Sequence, residues 1–278
     1  MRKKISNHLE LISEYKIKEF ILPHLSQGKR GFKSKFNLIK IVQLILKRLK
    51  TGCQWRELSL KEYFSETISW QIVYYYFNKW SKDGSFYKVW INLLSKNKKI
   101  LDMSSVQLDG SHTRARLGGE SVDYQGRKKA KTSNIIFLCD NQGQMLAMSS
   151  IKNGSHHDLF EIDDVFSEII TQLSQSDIPH KGLFLNADAG FDSDDFRNLL
   201  DKNEIIANIK ENTRNSKSNN KDYYFDEELY KRRFKIEKAN AWIYSFKSLL
   251  IRFETSAINW KNLHYIAFIV LLSRKIKV

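Results

Sequence analysis

An α/β fold, with helices packed on a mixed five-stranded sheet and an all-helical part ahead of it, is what this chain predicts, and three observations carry that expectation. Up to about residue 100 apolar side chains recur at helical spacing, and from about residue 104 the period shortens to that of strands. The turn D-N-Q-G at 140–143 separates two apolar runs, Ser133 to Cys139 and Met145 to Ile151, which is the pattern of a β-hairpin. Beyond the hairpin, helix-like and strand-like segments alternate, so helices come to lie over a sheet.

Taken in order, Leu38, Val42, Ile45 and Leu49 form one helical stripe, with Lys40, Lys47, Arg48 and Lys50 mostly away from it, and Gly52 ends that helix. A short helix-like piece (Arg56 to Phe64), a polar turn (Ser65 to Thr67) and a second periodic run (Ser69 to Lys82) follow. This succession is compatible with a helix-turn-helix, whose second helix would offer Gln71, Asn78 and Lys79 to base edges in a major groove. It is equally the pattern of a plain three- or four-helix bundle with Tyr74, Tyr75, Tyr76 and Trp80 in its core. Strands are then expected at Ser105 to Asp109, in the two arms of the hairpin, at Gly182 to Asn186 and at Glu204 to Ile209. Helices are expected at Asp158 to Leu173, Ser193 to Lys202, Glu227 to Glu254 and Trp260 to Ser273. Three strands, helix, strand, helix, strand, helix is the RNase H-like order. The expected division is into a helical part, 1–100, and an RNase H-like part, 101–278, with no internal repeat.

Composition sets the class of partner. Apolar residues make up 42% of the 278, enough to bury a core, which excludes a disordered chain. Forty-six Lys and Arg against 31 Asp and Glu leave a formal charge of +15, a field that attracts polyanions: nucleic acid first, an acidic membrane surface second. The longest apolar run, Tyr265 to Leu272, falls short of the roughly 18 to 20 residues a membrane span needs, and M-R-K-K-I-S-N-H-L-E-L at the N-terminus lacks the apolar stretch of a secretory signal. Cys53 and Cys139 lie far apart without zinc-ligand spacing, which fits a reducing cytoplasm. Ser216 to Lys221 reads as a polar loop.

The residues with chemistry are carboxylates at the ends of apolar runs. Asp109 closes V-Q-L-D before Gly110, and Asp188 closes L-F-L-N-A-D before Ala189 and Gly190. Asp192 has a simpler role, capping the helix that follows with Ser193. Glu237 lies in a basic helix, where Tyr230, Arg233, Glu237 and Tyr244 fall on one stripe. Singly, an Asp-Gly turn or an exposed Glu paired with Arg233 explains each residue. Together, two carboxylates at strand ends and a third on a later helix are what a two-metal phosphoryl-transfer site requires, and hard oxygen donors suit Mg2+ or Mn2+.

At this point the chain resembles a family. T-G-C-Q-W-R-E-L at 51–58 and W-Q-I-V-Y-Y-Y-F-N-K-W at 70–80 resemble the N-terminal region of bacterial insertion-sequence transposases of the insertion-sequence-five family. D-G-S-H-T-R-A at 109–115 with Y-Q-G-R-K-K-A-K-T at 124–132, A-D-A-G-F-D-S at 187–193 and Y-K-R-R-F-K-I-E-K-A-N-A-W at 230–242 are similar to its three catalytic blocks. The resemblance implies a DDE transposase with Asp109, Asp188 and Glu237 as catalytic and metal-binding triad, two Mg2+ (or Mn2+) ions per site, double-stranded DNA as substrate at element ends and target, and a homo-oligomer in the synaptic complex. Arg233 and the Lys128, Lys129, Lys131 run beside Asp109 are then phosphate contacts. Two departures stand out: Tyr244 occupies the place of a superfamily Lys, with Lys247 as its substitute, and Ala189 and Phe191 stand where relatives often carry a basic residue and Tyr. Ser155 to Asp158 reads as the cap and first turn of the next helix, and Trp242 as core or a stacking platform for a flipped base. The rival readings are a plain metal-dependent nuclease on the same fold, and a repressor or decayed transposase that binds ends without cutting.

Overall fold

The computed structural model describes residues 11–27, 34–212 and 223–277, so the N-terminal segment 1–10 and the expected loop 216–221 lie outside the described residues. A one-turn helix, α1 (Glu14–Lys16), precedes three longer ones: α2 (Leu38–Thr51), α3 (Trp70–Lys82) and α4 (Ser85–Lys96). Asn37 caps α2 by accepting the Ile39 amide at 3.0 Å, and Ser69 caps α3 by accepting that of Gln71 at 3.3 Å. Gly52, left-handed, ends α2 as its position in the sequence predicts.

The sheet follows. Its strands are β1 (Val106–Arg114), β2 (Asp123–Gln125), β3 (Ala130–Asp140), β4 (Met145–Met148), β5 (Lys152–Asn153), β6 (Phe184–Ala187) and β7 (Ile206–Ile209). Five of them form the expected mixed sheet: β4 lies beside β3, and β3, β1, β6 and β7 continue in that order, antiparallel as far as β1 and parallel from β1 to β7. This is the RNase H-like topology. The short strands β2 and β5 add to it, both paired to β3. Helices α5 (Ile162–Gln175) and α6 (Asp194–Lys202) connect the parallel strands.

The long helix expected from Glu227 to Glu254 is broken. It divides into α7 (Glu227–Tyr230), a 3-10 turn (Lys231–Arg233), α8 (Phe234–Tyr244) and α9 (Lys247–Leu250). The break after α8 falls at Phe246, whose extended backbone puts its ring in the core, and beyond α9 the chain runs straight enough for Arg252 to bridge Ala115 beside β1. The last helix, α10 (Ala257–Lys275), is apolar nearly all round because it is enclosed. Trp90 of α4 packs on Phe268 of α10 at 5.3 Å, and Phe268 packs on Phe137 of β3 at 6.1 Å, so helical part and sheet share one core. His264 of α10 is fully buried, donates Nδ1–H to the Trp260 carbonyl at 3.0 Å, and is pushed down to about 4 by burial. Among the described residues no helix is long and apolar enough to cross a membrane.

Candidate active site

Parallel pairing between β1 and β6 ends at Gln107 opposite Asn186. Two residues further on, on the same face of each strand, stand Asp109 and Asp188. Asp109 is not the end of its strand, as the sequence suggested: β1 continues to Arg114, because its antiparallel partner β3 outlasts β6. What makes Asp109 accessible is the end of the neighbouring strand. Asp188 leads directly into a 3-10 turn and accepts the Gly190 amide at 2.8 Å.

Beneath the two aspartates runs a ladder of buried amides. Asn186 donates to Gln107 Oε1 at 2.8 Å, and Asn208 donates to Asn186 Oδ1 at 2.7 Å, linking β1, β6 and β7. The same amides hold the chain on its way to α8: Asn186 reaches the Leu229 carbonyl at 3.1 Å, and Asn208 exchanges hydrogen bonds with the backbone of Asp226 at 2.8 and 3.0 Å. All three ladder residues are fully buried, so each bond is made away from water and a one-residue slip of any strand would leave amides unpaired.

Helix α8 crosses the same end of the sheet. Asn240 donates to Asp109 Oδ2 at 3.3 Å, and one turn later the Tyr244 hydroxyl meets Ser111 and, at 3.2 Å, Thr113. Gly143 of the hairpin turn lies under the helix, where a Cβ would come within 3.2 Å of the Lys235 carbonyl. Arg233, Glu237, Asn240 and Tyr244 are spaced four, three and four residues apart along the helix, and of these Asn240 and Tyr244 reach β1. Arg233 pairs with Glu237 at 3.0 Å, and the Glu237 side chain is 61% exposed. Among the described residues no three Asp, Glu, His or Cys side chains are gathered closely enough to hold an ion.

The electrostatics centre on Asp109. Burial first, then the charge of Asp188, push its carboxyl up to about 7, with Arg233 opposing and Asp158 adding to the rise. The Tyr230 hydroxyl is likewise raised by burial and by Asp188, so Tyr230 also borders the pair. Asp158 is a carboxylate that sequence reasoning placed elsewhere. It does not cap a helix, since α5 begins only at Ile162. Instead it accepts from Asn134 Nδ2 at 2.7 Å, lies 3.9 Å from His112 Nε2, and covers Gly110 so closely that a Cβ there would fall on its carboxyl group.

A cation fits this donor set: two half-buried carboxylates stand close enough for Asp188 to raise the pKa of Asp109 despite Arg233, and a shared positive ion would relieve that repulsion. The family comparison agrees with the chemistry. The model described as the transposase DDE domain matches residues 95–272, and one described for transposases of the IS4/5 family (DUF4096) matches residues 13–90. The chain belongs to the DDE transposases. No curated protein matches it. A cryo-EM structure of a piggyBac transposase synaptic complex with hairpin DNA aligns at a TM-score of 0.47 and 11% identity, over 96% of this chain and 72% of that one. A pre-cleavage Mos1 transpososome aligns at 0.29 and 10% identity, over 81% of each chain.

Other expected site residues of this DDE transposase fall in several places. Lys128 turns inward and donates to the His112 carbonyl at 2.8 Å, within electrostatic reach of Asp158 and Asp109, whereas Lys129 and Lys131 are exposed. Tyr244 is a strut between α8 and β1, and Lys247 is exposed on α9. On α3, Gln71 is exposed, but Asn78 contacts Asn259 at 3.3 Å and Lys79 the Ser26 carbonyl at 3.3 Å. Trp242 is half-buried under the Lys238 ammonium, 5.0 Å from its ring centre. The ladder left a trace in the sequence that motif reading passed over: Q-L-D at 107–109 and N-A-D at 186–188 each put an amide two residues before the carboxylate, inside an apolar run.

Proposed function

We propose that this transposase binds the terminal inverted repeats of its own element, breaks phosphodiester bonds there and joins the freed 3′-hydroxyls to target DNA as an oligomer. The observation that carries this reading is the pair Asp109 and Asp188, each two residues past the last paired position of adjacent parallel strands, with the charge of Asp188 felt at Asp109 and Asn240 of the helix that bears Glu237 bound to Asp109. Asp109 and Asp188 supply the fixed oxygens of the site, and Glu237 supplies the third on leaving Arg233. Bound Mg2+ or Mn2+, two per site, would activate the attacking water or hydroxyl and stabilise the departing oxygen. Arg233, freed from Glu237, Lys128 and the exposed Lys129, Lys131 and Lys247 take up backbone phosphates, and Gln71 leads the exposed face of α3 in reading bases.

The test is incubation of a labelled duplex carrying an element end and its flank with the full chain and Mg2+ or Mn2+, followed by strand-transfer analysis. Cleavage with joining is the expected result. Cleavage without joining would leave a nuclease, and end binding without cleavage a repressor. End binding should weaken steeply with salt, each neutralised phosphate adding roughly 0.9 to the log–log slope, so exchange of Lys131 for Gln should lower that slope by about one such step.

A further inference from the structure

Asn240 contacts Asp109 through one half of its amide and leaves the other half unused. Its Nδ2 donates to Asp109 Oδ2 at 3.3 Å, while its Oδ1 is buried and has no hydrogen-bond partner among the described residues. The orientation follows from chemistry: a carboxylate serving as a ligand only accepts, so the amide must turn its NH2 towards Asp109 and its oxygen away. The side chain has little freedom to escape this. It sits one turn after Glu237 and one turn before Tyr244, whose hydroxyl is tied to β1, and the hairpin turn at Gly143 backs the same helix. Among the described residues Asn134, Asn141, Asn259 and Asn262 also bury an oxygen without a donor, but of these five only Asn240 holds Asp109 with the other half of its amide.

We propose that Asn240 is a positioning residue of the metal site, fixing the Asp109 carboxylate through Nδ2 and offering Oδ1 to a water in the hydration shell of the bound ion. This rests on the reading of Asp109 as a metal ligand. Mg2+ and Mn2+ bound by few carboxylates keep several waters, and each such water is a donor in need of an acceptor. Partners one step beyond the ligands orient them, and their loss typically lowers metal affinity about 10- to 100-fold. A role in packing alone would leave metal affinity untouched.

Mn2+ binding to the full chain, followed by calorimetry and by the electron paramagnetic resonance signal of free Mn2+, tests this without DNA. The variants are Asn240→Ala, Asn240→Asp and, as control, Asp109→Asn, each first compared with the parent by thermal melting without metal. Asn240→Ala is expected to weaken Mn2+ about 10-fold or more. Asn240→Asp loses the Nδ2 donor but keeps an oxygen in place and adds a negative charge whose attraction for the cation outweighs that loss, so it is expected to bind at least as tightly as the parent. Parental affinity in Asn240→Ala, or an Asn240→Asp variant as weak as Asn240→Ala, overturns the proposal. If Asn240→Ala does not fold, Asn240→Asp decides alone, with weakened binding counting against the proposal. Failure of the underlying reading looks different: Asp109→Asn would then bind Mn2+ as well as the parent.

Discussion

The end of the sheet and the helix that crosses it hold their carboxylates in different ways. Asp109 and Asp188 are half-buried beside strands whose register is secured by the buried amides of Gln107, Asn186 and Asn208, and Asp109 feels the charge of Asp188. Glu237 is 61% exposed on α8, and its partner is Arg233, one turn away on the same helix. A sheet can preform two ligands because ladder pairing fixes positions to a fraction of a residue, whereas an exposed helical side chain keeps its rotamer freedom until a partner takes it up. In the proposed triad the aspartates therefore form a platform, and the glutamate is the part free to respond to ions or DNA.

Activity is where the comparison should break most visibly. Asp109→Asn, Asp188→Asn and Glu237→Gln are each expected to lower end cleavage by about 10^3-fold or more, the scale for removing a group that stabilises charge in the transition state, while gel shifts show end binding nearly intact. A variant cleaving at the parental rate removes that residue from the triad. Stability should separate the regions in the opposite sense. Asn186→Leu strips the ladder of its middle rung and removes its hydrogen bonds to Gln107, Leu229 and Asn208, so urea unfolding should show a loss of about 3 kcal/mol, at roughly 1 kcal/mol per hydrogen bond. A loss under about 1 kcal/mol would mean that the ladder does not secure the strands.

Acid acts on the shared core rather than on either region. His264 is held neutral with a pKa near 4, below its unfolded value of about 6.5, so the unfolded chain takes up the proton first. Its contribution is complete above about pH 6.5 and is lost as pH falls towards 4, about 3 kcal/mol in all. His264→Phe should flatten the stability profile across that window, and an unchanged slope would move the acid sensitivity to the carboxylates. The smallest effect is expected at Glu237. Because Glu237 is exposed, Glu237→Gln should change stability by only a few tenths of a kcal/mol, despite the large loss of cleavage expected of it. A loss beyond about 1 kcal/mol would show the glutamate to be structural.

How much of this was legible in the sequence differs from element to element. The strands at Asp109 and Asp188, the D-N-Q-G hairpin and the capped helix at Ser193 follow from local patterns: apolar alternation, turn residues, and a side-chain oxygen ahead of a helix. The long helix from Glu227 did not survive, because Phe246 is drawn into a core that lies outside its own segment. Asp158 looked like part of a helix cap, and only the folded chain brings it over Gly110, some 48 positions earlier in the sequence. Asn78 and Lys79 carried the right chemistry for base contacts, but packing gave them Asn259 and Ser26 as partners.

By itself, then, the sequence determined the order of elements, the two aspartates that follow short apolar runs and the basic charge that suits DNA, since these depend on neighbours a few residues apart or on composition alone. Only the tertiary structure decided that Asp109 and Asp188 meet across adjacent strands, that Asn240 reaches Asp109, and that Glu237 is turned to Arg233. Those are contacts between residues that are mostly far apart in the chain, or between rival partners of one side chain. They are settled by sheet register and helix placement, which the burial of apolar side chains throughout the chain sets jointly.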